Sequence, residues 1–150
     1  MKFLNLFMLS FILVSCGPTT LKAQDGHKTL VGILEKGTAV LTVDKSKMLA
    51  AYNANLLKLS SIDGKFTDLN IRISDTLYFL VFKGETYSSS FSVTANSSNL
   101  YANNSISCTT SECASESFGC TPKLNGVACY PCSNKGKCTK TVSSVSMLDY

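Results

Sequence analysis

Tryptophan is absent from the chain, and histidine and arginine each occur once, as His27 and Arg72. With Arg72 alone and the lysines scattered, no basic stripe tracks a phosphate backbone, which argues against nucleic acid as a partner. Serine-hydrolase triads, imidazole acid/base chemistry and most zinc hydrolase sites need a histidine on rigid structure. His27 stands among polar residues near the expected start of the mature chain and reads as a solvated tail residue. No apolar run reaches the roughly 20 residues that a membrane-spanning helix requires. The 150 residues suit one ordinary domain with a single modest core, and the formal charge of +4 is spread rather than clustered.

Cysteine is plentiful by contrast. Six of seven lie between Cys108 and Cys138, and the seventh, Cys16, stands alone near the other end. Residues 1–15, MKFLNLFMLSFILVS, place Lys2 before an apolar run of signal-peptide length, so the chain is expected to be exported. Leu13-Val14-Ser15-Cys16 then resembles the lipobox of bacterial lipoproteins: two aliphatic positions, a small residue and the cysteine. The resemblance covers residues 1 to about 17. It implies cleavage before Cys16, a diacylglyceryl group on its thiol, frequent acylation (palmitate-like) of the new amino terminus, and attachment to a bacterial cell membrane. Two or three acyl chains at about 0.8 kcal/mol per buried CH₂ hold a protein stably where one is marginal. The rival is ordinary signal cleavage near Leu21-Lys22-Ala23, where Leu21 fits poorly at a position that wants a small side chain. Residues 16–28, beginning Cys16-Gly17-Pro18-Thr19-Thr20, read as a lipidated tether.

Residues 29–103 carry the pattern of a folded α+β domain. Thr29 to Leu34 and Thr38 to Val43 are short β-branched runs separated by Glu35-Lys36-Gly37, a hairpin signal. Asp44 is placed to cap a helix over Lys45 to Leu59, with Met48, Leu49, Tyr52, Leu56 and Leu59 recurring on one face as core residues. Ser60 to Gly64 supply the stop. Leu69, Ile71 and Ile73 alternate with polar residues as a strand with one wet face should. Leu77 to Phe82, LYFLVF, is apolar at every position and predicts a central strand covered on both faces, with the helix on one of them. Tyr87, Phe91, Val93 and Ala95 alternate mostly with serine and threonine in the next strand. The expected fold is one amphipathic helix packed on an antiparallel β-meander, followed by a disulfide-rich C-terminal segment. At the level of architecture, a helix before three sequential strands resembles cystatin-like and other α+β rolls, which carries no function. The Asn- and Ser-rich stretch Asn96 to Ser107, with a short strand expected at Leu100-Tyr101, is the one candidate internal boundary.

Residues 104–150 form the cysteine-rich segment, expected to pack on the same domain. Its spacing is C-x4-C-x6-C-x8-C-x2-C-x5-C, and Phe118, Leu124, Val127 and Tyr130 cannot make a core alone. Three readings account for it. In the first, Cys108, Cys113, Cys120, Cys129, Cys132 and Cys138 form three disulfides in an oxidising compartment, in any of 15 pairings. In the second, Cys108, Cys113, Cys129 and Cys132 hold a structural zinc ion, leaving Cys120 and Cys138 unexplained. In the third, Cys129-Tyr130-Pro131-Cys132 is a thiol-disulfide redox pair, although Ser133 to Lys137 does not supply the helix that lowers the thiol pKa in such enzymes. The lysines of the segment are nearly balanced by Glu112, Glu116 and Asp149, which argues against a membrane-disrupting peptide. Thr141 to Leu148 is expected to return to the sheet as an edge strand.

The functional expectation is a non-enzymatic binding or envelope-associated module, exported and lipid-anchored, needing no cofactor. Its partner is expected to be an extracytoplasmic protein or glycan, met by the loops Thr121 to Ala128 and Ser133 to Lys137.

Overall fold

The computed structural model describes residues 27–150, so the signal segment and Cys16 lie outside the described residues. β1 (Lys28–Glu35) and β2 (Thr38–Leu41) form a hairpin with register Glu35↔Thr38. Lys36 and Gly37 both adopt positive φ (50° and 82°), which is the two-residue turn whose twist matches antiparallel strands. Asp44 then caps α1 (Lys45–Ser60), its carboxylate accepting from the Lys47 amide at 3.0 Å. The helix ends without a glycine: Ser61 takes the left-handed conformation (φ 59°) and donates its N–H to the Leu57 carbonyl.

Met48, Tyr52 and Leu56 are the buried stripe of α1, spaced i, i+4, i+8. Leu59, expected on the same face, is exposed, and Leu49 only flanks the core. Tyr52 sits at the centre, with its ring 4.4 Å from Phe82, 5.0 Å from Phe91 and 5.4 Å from Phe66 between centroids. Each such aromatic or aliphatic side chain contributes about 1.5–3 kcal/mol through burial.

β3 (Asp68–Ser74), β4 (Leu77–Lys83), β5 (Ser88–Asn96) and β6 (Asn99–Asn103) follow as an antiparallel meander. β5 organises the sheet. One of its edges pairs with β4, and the other is shared: Val93–Asn96 pair with β6, while Ser88–Ser90 pair with β7 (Ile106–Thr110). β6 continues onto β1, where the register shifts between Leu30 and Gly32. The resulting curl brings β2 beside β3 with no ladder between them. Gly32 sits in that corner, and a Cβ there would lie 2.3 Å from the Val40 carbonyl oxygen and 2.7 Å from Ile71 Cδ1.

The stretch from Asn96 to Ser107 is therefore not a boundary. It holds β6 and enters β7, both in the main sheet, and Asn104 between them is buried, donating to Thr29 Oγ1 and Ser146 Oγ. The last strand, β10 (Thr139–Val142), pairs with β7 at the sheet edge. It stops earlier than the expected Leu148, because Met147 and Leu148 turn inward and join the core. His27 is exposed but tied: Nε2 lies 3.1 Å from the Ser144 carbonyl, and its own carbonyl accepts from the Asn104 amide.

The apolar run of β4, Leu77 to Phe82, has the two-sided cover that its sequence predicts. Leu80 and Phe82 enter the core under α1. Phe79 and Val81 alternate onto the opposite face, where Phe79 meets Phe118 of the cysteine-rich segment at 6.0 Å.

Candidate binding site on the cross-linked segment

The six clustered cysteines form Cys108–Cys129, Cys113–Cys132 and Cys120–Cys138, each with a Cα separation near 6 Å. The first cysteine pairs with the fourth, the second with the fifth and the third with the sixth, so each closed loop overlaps the other two. Cys108 belongs to β7 and Cys129 to the small hairpin of β8 (Thr121–Pro122) and β9 (Cys129–Tyr130). That bridge therefore fastens the hairpin directly to the sheet. Cys108, Cys113, Cys120 and Cys132 are buried, and Cys129 and Cys138 flank them.

The sulfurs that converge are not the four expected for zinc. Cys113, Cys120 and Cys132 bring their Sγ atoms within 4.8 Å of one another, while belonging to two different bridges. Thiolate ligation there requires both bridges to be reduced. Cys129 and Cys132 are likewise not bonded to each other but to Cys108 and Cys113, and the turn Cys132–Lys135 follows in place of a helix.

Polar contacts seat the segment on the sheet. Ser90 Oγ donates to the Cys120 carbonyl, and Thr110 Oγ1 donates to the Lys137 carbonyl at 2.8 Å. Lys83 Nζ donates to the carbonyls of Ala114 and Glu116, and its partial burial lowers its pKa from the ordinary lysine value. Gly119, with φ +61°, passes so close that a Cβ would lie 2.8 Å from Ser88 Oγ. Lys83 and the serine triplet of β5 were not visible as docking residues in the sequence. The only signal was a lysine ending an otherwise apolar strand.

Between the β3–β4 turn and the segment lies an open cleft of about 370 Å³. Leu77, Phe79, Phe118, Tyr130 and Pro131 give it apolar and aromatic walls, and Glu116 and Ser133 stand at its polar side. Ser133 donates to Glu116 twice, from Oγ at 2.6 Å and from the backbone N–H at 3.3 Å. The Ser133 hydroxyl is the largest cause holding the Glu116 carboxyl below its ordinary range, with the Ser133 and Asn134 amides and Lys83 acting in the same sense. Glu112 binds the same loop from the other side, accepting from the Lys137 amide at 2.9 Å and, through its carbonyl, from Asn134 Nδ2.

The second expected loop, Thr121 to Ala128, is the tip of the β8–β9 hairpin. Lys123 donates its N–H to the Ala128 carbonyl, Gly126 donates to Lys123, and Asn125 Oδ1 accepts from the Val127 amide. Lys140 Nζ reaches across from β10 to the Val127 carbonyl at 2.8 Å. Lys123 Nζ lies 5.3 Å above the Tyr130 ring, within cation–π range. Both loops are thus fixed by short hydrogen bonds as well as by bridges. Comparison with protein-family models, curated proteins and solved structures finds no match for the chain.

Proposed function

We propose that the protein is an exported lipoprotein, anchored through Cys16 to a bacterial cell membrane, that acts as a non-enzymatic binding module. Its recognition surface is the aromatic cleft and the Ser133 to Lys137 loop beside it. The observation that carries this reading is the pinned geometry of that loop. Two glutamates and two bridges hold it against a cleft walled by Phe79, Phe118 and Tyr130. Preorganised loops around an aromatic concavity suit an extracytoplasmic protein or glycan, because little ordering entropy is lost on contact. Commitment of all six clustered cysteines to bridges supports a compartment in which disulfides persist.

A thiol-disulfide role for Cys129 and Cys132 is the second reading, favoured by the half-buried position of Cys129 on an outer hairpin. Reaction with a graded thiol series, followed by mass mapping, separates the two. Selective release of Cys129 or Cys132 at mild potential supports the redox role, and three bridges that resist together support the binding module. For the anchor, Cys16→Ser is expected to move the protein out of the membrane fraction, and unchanged fractionation defeats the lipoprotein reading. Pull-down from envelope extracts with the cross-linked protein, compared with a Tyr130→Ala and Phe118→Ala variant, tests the cleft.

A further inference from the structure

We infer that the β8–β9 hairpin tip, with the neighbouring end of β10, rests on the lipid surface to which the chain is anchored, an inference that depends on the lipid anchor proposed above. Four large apolar side chains are left bare on this side of the molecule: Leu124 (69 % exposed), Val127 (68 %), Val142 (54 %) and Val145 (60 %). Val127 and Val142 are linked through Ile106, Gly126 and Lys140, Leu124 stands on the same hairpin tip as Val127, and Val145 follows Val142 by three residues. Val142 pairs with Ile106, so both side chains occupy the face that carries the hairpin. Gly126 at the hairpin tip abuts Ile106 so closely that a Cβ would lie 2.8 Å from Ile106 Cδ1, and Lys140 bonds the Val127 carbonyl. Val145 follows Ser144, whose carbonyl lies against His27 Nε2.

That last contact identifies the occupant. His27 is where the described chain begins, and it is fixed between Ser144 and Asn104, beside the patch rather than across the molecule from it. Cys16 is eleven residues earlier. Even fully extended, that length reaches at most about 40 Å, and it joins the domain at His27, whose ring lies against Ser144, two residues beyond Val142. Lys123 adjoins Leu124, Lys140 donates to the Val127 carbonyl, and Asp149 accepts from Thr29. Glu112 and Glu116 are engaged at the Ser133 to Lys137 loop. Apolar tips flanked by Lys123 and Lys140 match an anionic headgroup layer, the apolar groups entering the acyl boundary while the ammonium groups stay among the phosphates. In this orientation the hairpin loop is withdrawn from partner recognition, leaving the cleft and Ser133 to Lys137 as the recognition surface.

The absence of tryptophan makes the test direct. The full chain carrying Leu124→Trp is matured in cells, purified and reconstituted into vesicles of phosphatidylcholine and phosphatidylglycerol containing lipids brominated near the glycerol. The control is Leu57→Trp, at a half-exposed position of α1 on the opposite face of the sheet. The expected result is blue-shifted emission from Leu124→Trp with several-fold stronger quenching by brominated lipid than from Leu57→Trp. Equal, water-like emission from both overturns the docking while leaving the anchor intact. A blue shift without lipid quenching assigns the patch to a protein or a second copy of the chain, and also overturns it. Protein recovered wholly in the supernatant removes the anchor and the docking with it. Non-reducing mass analysis showing three bridges in each variant establishes that the fold is retained.

Discussion

Removal of the Cys120–Cys138 bridge tests how the C-terminal segment is ordered. Its sequence separation is 18 residues, and a loop of that size closed by a disulfide stabilises the folded state by about 3 kcal/mol through loss of unfolded-chain entropy. The other two bridges shorten the closure, since the unfolded chain can pass from Cys120 back to Cys113, across to Cys132 and forward to Cys138. That route is about 14 residues, but the dependence is logarithmic, so overlap reduces the effect by only about 0.2 kcal/mol. Cys120 is also fully buried, and truncating its sulfur adds a packing loss of the same sign. The variant Cys120→Ala/Cys138→Ala is therefore expected to unfold at least about 3 kcal/mol more easily, which for a domain of this size lowers Tm by about 9–15 °C. Scanning calorimetry under non-reducing conditions measures it, with mass mapping to verify that the other two bridges stay in place. A fall of less than about 3 °C refutes the reasoning. It would mean that the hydrogen bonds from Ser90, Thr110 and Lys83 order the segment without the bridge.

Burial pushes the Tyr52 hydroxyl above its ordinary value of 10.0, against the opposing effect of hydrogen bonds to Ser107, Ser89 and Thr109. The stability this raised group confers is present in full below pH 10 and is lost as pH rises through the higher folded value. Tyr52→Phe is expected to cost about 1 kcal/mol at neutral pH, since Ser89 keeps Thr109 as a partner at 2.7 Å. The deficit should shrink and reverse in urea titrations above pH ~10, and a deficit constant across that range contradicts the assignment. Gly32→Ala places a methyl group against backbone in the β1–β2 corner and is expected to cost about 1–3 kcal/mol in urea unfolding. Unchanged stability would show that β2 does not abut β3 there. The Glu116 carboxyl lies below its ordinary 4.5, so its hold on Ser133 is complete above that value and lost as pH falls through the lowered one. Amide exchange at Ser133, corrected for intrinsic rate, should accelerate over that acid range, and Glu116→Gln should weaken the protection already at neutral pH.

The elements most legible in the sequence are those whose partners are periodic and local. Asp44 announces α1 because a cap needs only the amide three residues on, and Met48, Tyr52 and Leu56 mark the buried stripe because one helix face repeats every three to four residues. LYFLVF declares two-sided burial through the absence of any polar position, although only the structure shows that the cysteine-rich segment is the second cover. The Ser88–Ser90 triplet gives the opposite signal. Three successive serines carry no apolar signal, yet all are fully buried. Ser89 bonds Tyr52 at 2.6 Å and Thr109, and Ser90 bonds the Cys120 carbonyl. A hydroxyl is buried without penalty when a partner meets it; Ser88 finds one six residues back at the Phe82 carbonyl, but the partners of Ser89 and Ser90 lie 19 to 37 residues away, beyond any local window.

The same long reach explains why Asn96 to Ser107 resembles a linker while building two strands, and why six cysteines leave 15 pairings open until β7 and the hairpin are placed side by side. It also makes one sheet serve two ends. β5 buries Phe91 and Val93 under α1 and, on the alternate face, receives the cross-linked segment at Ser88, which Gly119 approaches closely, and at Ser90, whose hydroxyl donates to the Cys120 carbonyl. An apolar second face would bind that segment without fixing its position, whereas the Ser90 hydroxyl, donating to the Cys120 carbonyl, sets its register. The aromatic cleft depends on that register, because Phe79 comes from the sheet and Phe118 from the segment. Replacing Ser90 with alanine should therefore disturb the cleft through the position of Cys120 even though all three bridges still form, and retention of the Phe79–Phe118 contact in that variant would show that the disulfides alone determine the register.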